Sequence, residues 1–194
     1  MASLLGYDET GQFRVGTCFL DNTQPATDFD RASCLPDNPG RPNYLVFGDS
    51  HAAALAEGMR RAFPGGDVLQ ISGVQCQPLM LPRPVVSRAC PGLHALALET
   101  LPASRKIDRV YLVARWPNRD GGSGPGWFAD LGRMIAAFRA RKTEVVVVGP
   151  SHEYRLALPR LLAEGIEAGD PGLARRYLRP ELRELDAQLG AYSR

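Results

Sequence analysis

Four short runs of apolar residues punctuate the chain: Tyr44-Leu-Val-Phe47, Val68-Leu-Gln-Ile71, Val110-Tyr-Leu-Val-Ala114 and Val145-Val-Val-Val148. They are too short for helices and rich in β-branched and aromatic residues. They predict buried strands over 43–48, 67–72, 109–114 and 144–149. Between them, apolar residues recur every three to four positions. Leu55, Met59, Ala62 and Phe63 predict a helix over 52–63, stopped by Pro64-Gly-Gly66. Leu93, Leu96, Ala97 and Leu101 predict a second over 93–104, and Leu131, Met134, Ile135 and Phe138 a third over 127–141. Shorter helical patterns cover 155–162 and 180–189. Strands that are apolar on both sides, alternating with amphipathic helices, imply an α/β fold with a parallel sheet covered on both faces. Ligands in such folds bind beyond the carboxyl ends of the strands, so the loops after Phe47, Ser72, Ala114 and Val148 are the places to search for chemistry.

The remaining segments read as loops. Residues 1–42 carry Pro25, Pro36, Pro39 and Pro42 with only short apolar runs, and are expected to form a loop-rich N-terminal arm ahead of one α/β domain over 43–194. A long loop over 73–91 and a Gly-rich loop over 115–126 interrupt that domain. A length of 194 residues suits one domain with a sizeable core. A formal net charge of +2 gives no basic face for nucleic acid. No apolar run is long enough for a transmembrane helix, and the N-terminus lacks the basic and apolar regions of a signal peptide. The chain is therefore either cytosolic or part of a longer exported protein.

The cysteines favour export. Cys18, Cys34, Cys76 and Cys90 all sit in loop-like sequence, none forms Cys-x-x-Cys, and no histidine stands at zinc-ligand spacing from them, so no metal site is expected. Four cysteines allow three pairings. The local ones, Cys18–Cys34 and Cys76–Cys90, are the simplest, and each would stabilise the fold by about 3 kcal/mol through a loop of about 15 residues. No Gly-x-Gly-x-x-Gly or Gly-x-x-x-x-Gly-Lys loop occurs, so no cofactor is expected.

The segment Gly48-Asp49-Ser50-His51 runs from the first strand directly into a helix. A Ser at such a turn stands at the sheet edge, where helix N–H groups can hold an oxyanion while its hydroxyl attacks a carbonyl. The bland alternative is an N-cap, with Asp49 or Ser50 bonding the first-turn amides and no chemistry. The full string resembles the first block of the SGNH (GDSL-like) hydrolase superfamily. More narrowly, the chain resembles the SGNH domain fused behind membrane-bound acyltransferases that O-acetylate bacterial polysaccharides. The resemblance rests on Tyr44 to Leu55, on Gly73-Val-Gln-Cys-Gln-Pro78, on Val110 to Trp116, and on Val146-Val-Val-Gly-Pro150 followed by Glu153-Tyr154.

The resemblance implies a three-layer α/β/α sandwich with a flavodoxin-like parallel sheet. It also implies an extracytoplasmic or periplasmic domain tethered through an upstream membrane domain, which would deliver the acyl group to a polysaccharide acceptor. Ser50 would be the nucleophile, beside Asp49. The oxyanion hole would use the Ser50 N–H and Gly73, with Ser72 as the neighbouring alternative. The family's Gly-x-Asn-Asp is absent. Arg115 and Asn118 are the candidates near that place, and Trp116 is either a sugar-stacking platform or core. The family's base is the His of an Asp-x-x-His motif. The residues three before His51, His94 and His152 are Gly48, Pro91 and Gly149, and Asp186 is followed by Ala187, Gln188 and Leu189. The domain is therefore expected to lack its C-terminal part, to take its base from a second chain or domain, or to use His152 or His51 as the substitute base. The functions implied are O-acetyl transfer to sugar hydroxyls through an acyl-serine, a carbohydrate acetylesterase, or a catalytically silent glycan-binding module.

Overall fold

Five parallel strands form one sheet, and the apolar runs of the sequence supply four of them. The computed structural model describes residues 8–80, 87–116 and 126–192. In chain order the elements are α1 (Glu9–Phe13), β1 (Phe19–Leu20), α2 (Arg31–Cys34), β2 (Asn43–Gly48), α3 (Ser50–Ala62) and β3 (Asp67–Gly73). Then come α4 (Cys90–Ala95), α5 (Leu101–Ser104), β4 (Arg109–Val113), α6 (Trp127–Arg139), β5 (Glu144–Val148), α7 (Leu158–Glu167), α8 (Leu173–Arg176) and α9 (Glu181–Tyr192). The strand order is β1-β3-β2-β4-β5.

The chain forms two compact units, Met1–Val148 and Gly149–Arg194. In the first, Val46, Val68 and Val113 on one face of the sheet pack against Ala52, Ala56 and Met59 of α3. On the other face, the Phe47 ring meets the His94 ring of α4 edge-on at 5.0 Å. The step from β2 to β3 runs one way across the sheet, and the steps to β4 and β5 run the other way. Crossovers of one hand then put α3 on one face and α4 and α6 on the opposite face. Because the order reverses at β2, the crevice beyond β2 and β4 is the topological switch point.

The fifth strand comes from the N-terminal segment, where only loop was expected. Phe19 and Leu20 pair with Ser72 and Gly73. A disulfide joins Cys18 to Cys34, and another joins Cys76 to Cys90, both in the expected pairing. Helix α4 runs through a π turn at Leu96–Thr100 into α5. Pro102 has no N–H to bond the preceding turn, which is the physical reason for the irregularity.

In the second unit, α7 starts at Leu158, later than the expected 155–162 helix, with Pro159 in its first turn. The residues ahead of it are held otherwise. Tyr154 forms an antiparallel bridge with Leu178, and the Arg155 N–H donates to the Tyr177 carbonyl at 2.8 Å.

Candidate active site at the end of the central strand

The turn from β2 into α3 depends on a glycine. Gly48 has φ +155°, and a Cβ built there would lie 1.7 Å from the Val113 carbonyl oxygen. Only glycine lets β2 pass this close to the end of β4. Asp49 then caps α3. Its Oδ1 accepts the His51 N–H at 2.9 Å, and its backbone carbonyl accepts the Ala52 and Ala53 N–H groups. Its Oδ2 accepts the Arg115 N–H, also at 2.9 Å. Asp49 is therefore a clamp between the turn and the end of β4. Burial raises its pKa, and the two N–H donors oppose that shift.

Ser50 opens α3 and is half-buried. Asp49, not Ser50, fills the capping role. Among the described residues, neither the hydroxyl nor the backbone N–H of Ser50 has a hydrogen-bond partner. A helix N-terminus with an open amide favours negative charge in front of it.

Across the strand ends, Gly48 and Ser72 are register partners, and the Ser72 N–H already donates to the Cys18 carbonyl. The ladder bond of that pair must therefore run from the Gly73 N–H to the Gly48 carbonyl. The expected oxyanion donor at Gly73 is thus turned into the sheet. The side chain of Ser72, its alternative, is buried and also bonded to the Cys18 carbonyl. Two residues on, Gln75 has φ +54°, a left-handed conformation uncommon outside glycine and asparagine. Its N–H lacks an acceptor among the described residues, whereas Val74 N–H donates to Leu20 and Cys76 N–H to Gly73.

The loop carrying Gln75 is braced from three sides. Cys76 is bonded to Cys90 at the start of α4. The Gln77 side-chain amide donates to the Arg115 carbonyl at 2.9 Å. The Gln77 carbonyl lies 3.0 Å from His94 Nε2. A carbonyl only accepts, so His94 is the Nε2–H tautomer. Burial lowers its pKa to about 4, so it is neutral and already engaged. His94 is structural. Cys76, Cys90 and His94 also cluster closely enough to suggest a metal site, but the two sulfurs are bonded to each other and offer no thiolate.

The other expected residues fall as follows. Arg115 lies just past β4 and joins the clamp through its backbone. Asn118 lies outside the described residues. Trp116 is core, not a stacking platform: it is buried, its indole N–H donates to the Val148 carbonyl, and its ring meets Trp127 edge-on at 5.5 Å. His51 is half-buried on the first turn of α3. His152 is exposed in the second unit. Sequence reasoning missed Gln75 and Gln77. The first has no sequence signal, because a left-handed glutamine follows no residue preference. The second stands beside Cys76, so the disulfide assignment already pointed to its loop.

The sequence matches the family model of the SGNH domain fused to AT3 domains over residues 17–193. No curated protein matches it significantly. Among solved structures, it is similar to the periplasmic domain of a lipopolysaccharide acetyltransferase of Salmonella ser. Paratyphi A, with a TM-score of 0.75 and 18% sequence identity. The likeness covers 94% of this chain and 72% of that one.

Proposed function

The chain belongs to the family of SGNH domains fused to AT3 domains, and from that premise we propose that it transfers acetyl groups to sugar hydroxyls of a cell-surface polysaccharide through an acyl-Ser50 intermediate. One observation carries the mechanism. Ser50 stands at the topological switch point with its hydroxyl and N–H unpartnered, and the Gln75 N–H is unpartnered in the braced loop of the neighbouring strand. We therefore assign the second oxyanion donor to Gln75.

In the first step the Ser50 Oγ bonds to the acetyl carbonyl carbon and a base takes its proton. The carbonyl π electrons move to oxygen, which the Ser50 and Gln75 N–H groups stabilise. The tetrahedral species expels the donor's leaving group with that proton. A sugar hydroxyl then repeats the attack on the acyl-serine, releasing Ser50 with its proton and leaving the sugar acetylated. His94 is unsuited as the base, being buried and engaged, so the candidates in this chain are His51 and His152. The two disulfides fit an oxidising, extracytoplasmic compartment. The family's fusion partner supports a membrane acyltransferase domain as the acyl supply.

Acetylated oligosaccharide measured with and without an acceptor sugar tests the reading. Ser50-dependent product on the sugar supports transfer. Ser50-dependent free acetate that ignores the acceptor indicates a carbohydrate esterase. The absent Asp-x-x-His favours a silent glycan-binding module as the second reading, which glycan binding without Ser50 acylation would establish.

A further inference from the structure

The second unit holds an open cleft of about 450 Å³ lined by His152, Tyr154, Arg175, Leu178 and Arg183. Its walls are joined through the backbone by the Tyr154–Leu178 bridge, with the Arg179 N–H on the Glu153 carbonyl at 2.9 Å and the Arg155 N–H on the Tyr177 carbonyl at 2.8 Å. The cleft is therefore framed by fixed backbone. The charges around it are sorted. Arg160, Arg176 and Arg179 are matched by Glu164, Asp170 and Glu153. Arg175 and Arg183, which line the cleft, have no carboxylate within ion-pair distance among the described residues. Tyr154 and His152 add a hydroxyl and an imidazole. No acidic residue lines it.

Two open guanidinium groups, a phenol and an imidazole around a leucine form a surface for an oxyanion borne on a carbon skeleton. Arg binds carboxylate and phosphate through paired N–H donors. Tyr and Leu offer apolar area to a pyranose face, and hydroxyl and imidazole groups can bond sugar hydroxyls. We propose that this cleft binds an anionic sugar, a carboxylate- or phosphate-bearing unit of the glycan acceptor. The proposal rests on the glycan O-acetylation reading. It assigns acceptor specificity to residues of the second unit, so acceptors carrying negative charge are held there.

The test uses the whole chain and four probes: a glucuronate-containing oligosaccharide, a sugar phosphate, a neutral oligosaccharide of similar size, and inorganic phosphate. Binding is measured by calorimetry at low and high salt, with wild type and with Arg175→Gln/Arg183→Gln. The arginines are exposed, so the double variant should keep the wild-type circular dichroism spectrum and melting temperature. The expected result is binding of at least one charged sugar, weakened by salt and by about tenfold or more in the double variant. Which charged sugar binds identifies the source of the anion. The proposal is overturned if the neutral sugar binds as well, if inorganic phosphate binds as tightly as the sugar phosphate, if the double variant binds like wild type, or if no charged sugar binds. Ser50 acylation, followed in parallel, separates the two claims. Its loss with intact anionic-sugar binding sinks the transferase reading alone, and the converse sinks the cleft alone.

Discussion

His94 gives the fold a built-in sensitivity to acid whose size follows from its surroundings. The imidazole is buried against Phe47, with Nε2–H on the Gln77 carbonyl, and its pKa falls from 6.5 to about 4. Protonating it would put a charge in the core and place a second proton on Nδ1. Below 6.5 the unfolded chain takes up this proton and the folded chain does not, so stability falls as the pH drops from 6.5 toward 4. Relative to about pH 7.5, the two pKa values correspond to a loss on the order of 1 kcal/mol at about pH 5.5 and roughly 2–3 kcal/mol at about pH 4.5. Asp49 acts in the opposite sense. Its raised pKa makes the folded state take up a proton first as the pH falls, which adds stability. The informative quantity is therefore the difference between wild type and the non-titrating His94→Gln, from urea unfolding at each pH. The gap between the two should narrow by about these amounts as the pH falls. A gap that stays constant from about pH 7.5 to about pH 4.5 would refute the buried, neutral His94.

Other outcomes follow from the same geometry. Cys76→Ala/Cys90→Ala should lower stability by about 3 kcal/mol and reduce Ser50 reactivity further, because the Gln75 loop loses its brace; unchanged chemical denaturation would contradict this. Asp49→Ala removes the acceptor of two amides, His51 N–H and Arg115 N–H, and should cost about 2–4 kcal/mol in denaturation, whereas a loss under about 1 kcal/mol would show that the clamp is dispensable. Turnover of an aryl acetate by this chain should be weak, because general-base assistance is worth about 10²–10⁴-fold and no Asp-x-x-His is present. Vigorous turnover that disappears in Ser50→Ala would show a base within the chain, and His51→Ala and His152→Ala would identify it.

The elements that could be read from sequence are those whose information is local. The run Tyr44–Phe47 followed by Gly48 and Asp49 specifies a strand, a close approach and a cap within a few residues, so β2, α3 and the position of Ser50 were all legible. The strand at Phe19–Leu20 was not. Two residues carry no periodicity, and they become a strand only by pairing with Ser72 and Gly73 far along the chain. Trp116 stood between two meanings for the same reason, since the acceptor of its indole is Val148 on another strand. The expectation of an oxyanion donor at Gly73 rests on the resemblance to the SGNH second block, which carries no information about strand register. The register turns the Gly73 amide into the sheet, and the left-handed conformation falls on Gln75 in the turn beyond β3.

Whether Ser50 is the residue that carries the acyl group can be read directly, without relying on turnover. The chain is incubated with an aryl acetate, quenched in acid and mapped by peptide mass spectrometry, with Ser50→Ala treated in parallel. An acetyl ester on the peptide containing Ser50, accumulating with time and absent from the folded Ser50→Ala chain, is the expected result. Acetyl found only on other residues, or at equal levels in wild type and Ser50→Ala, would contradict the nucleophile assignment and leave the turn after β2 a capping structure without chemistry.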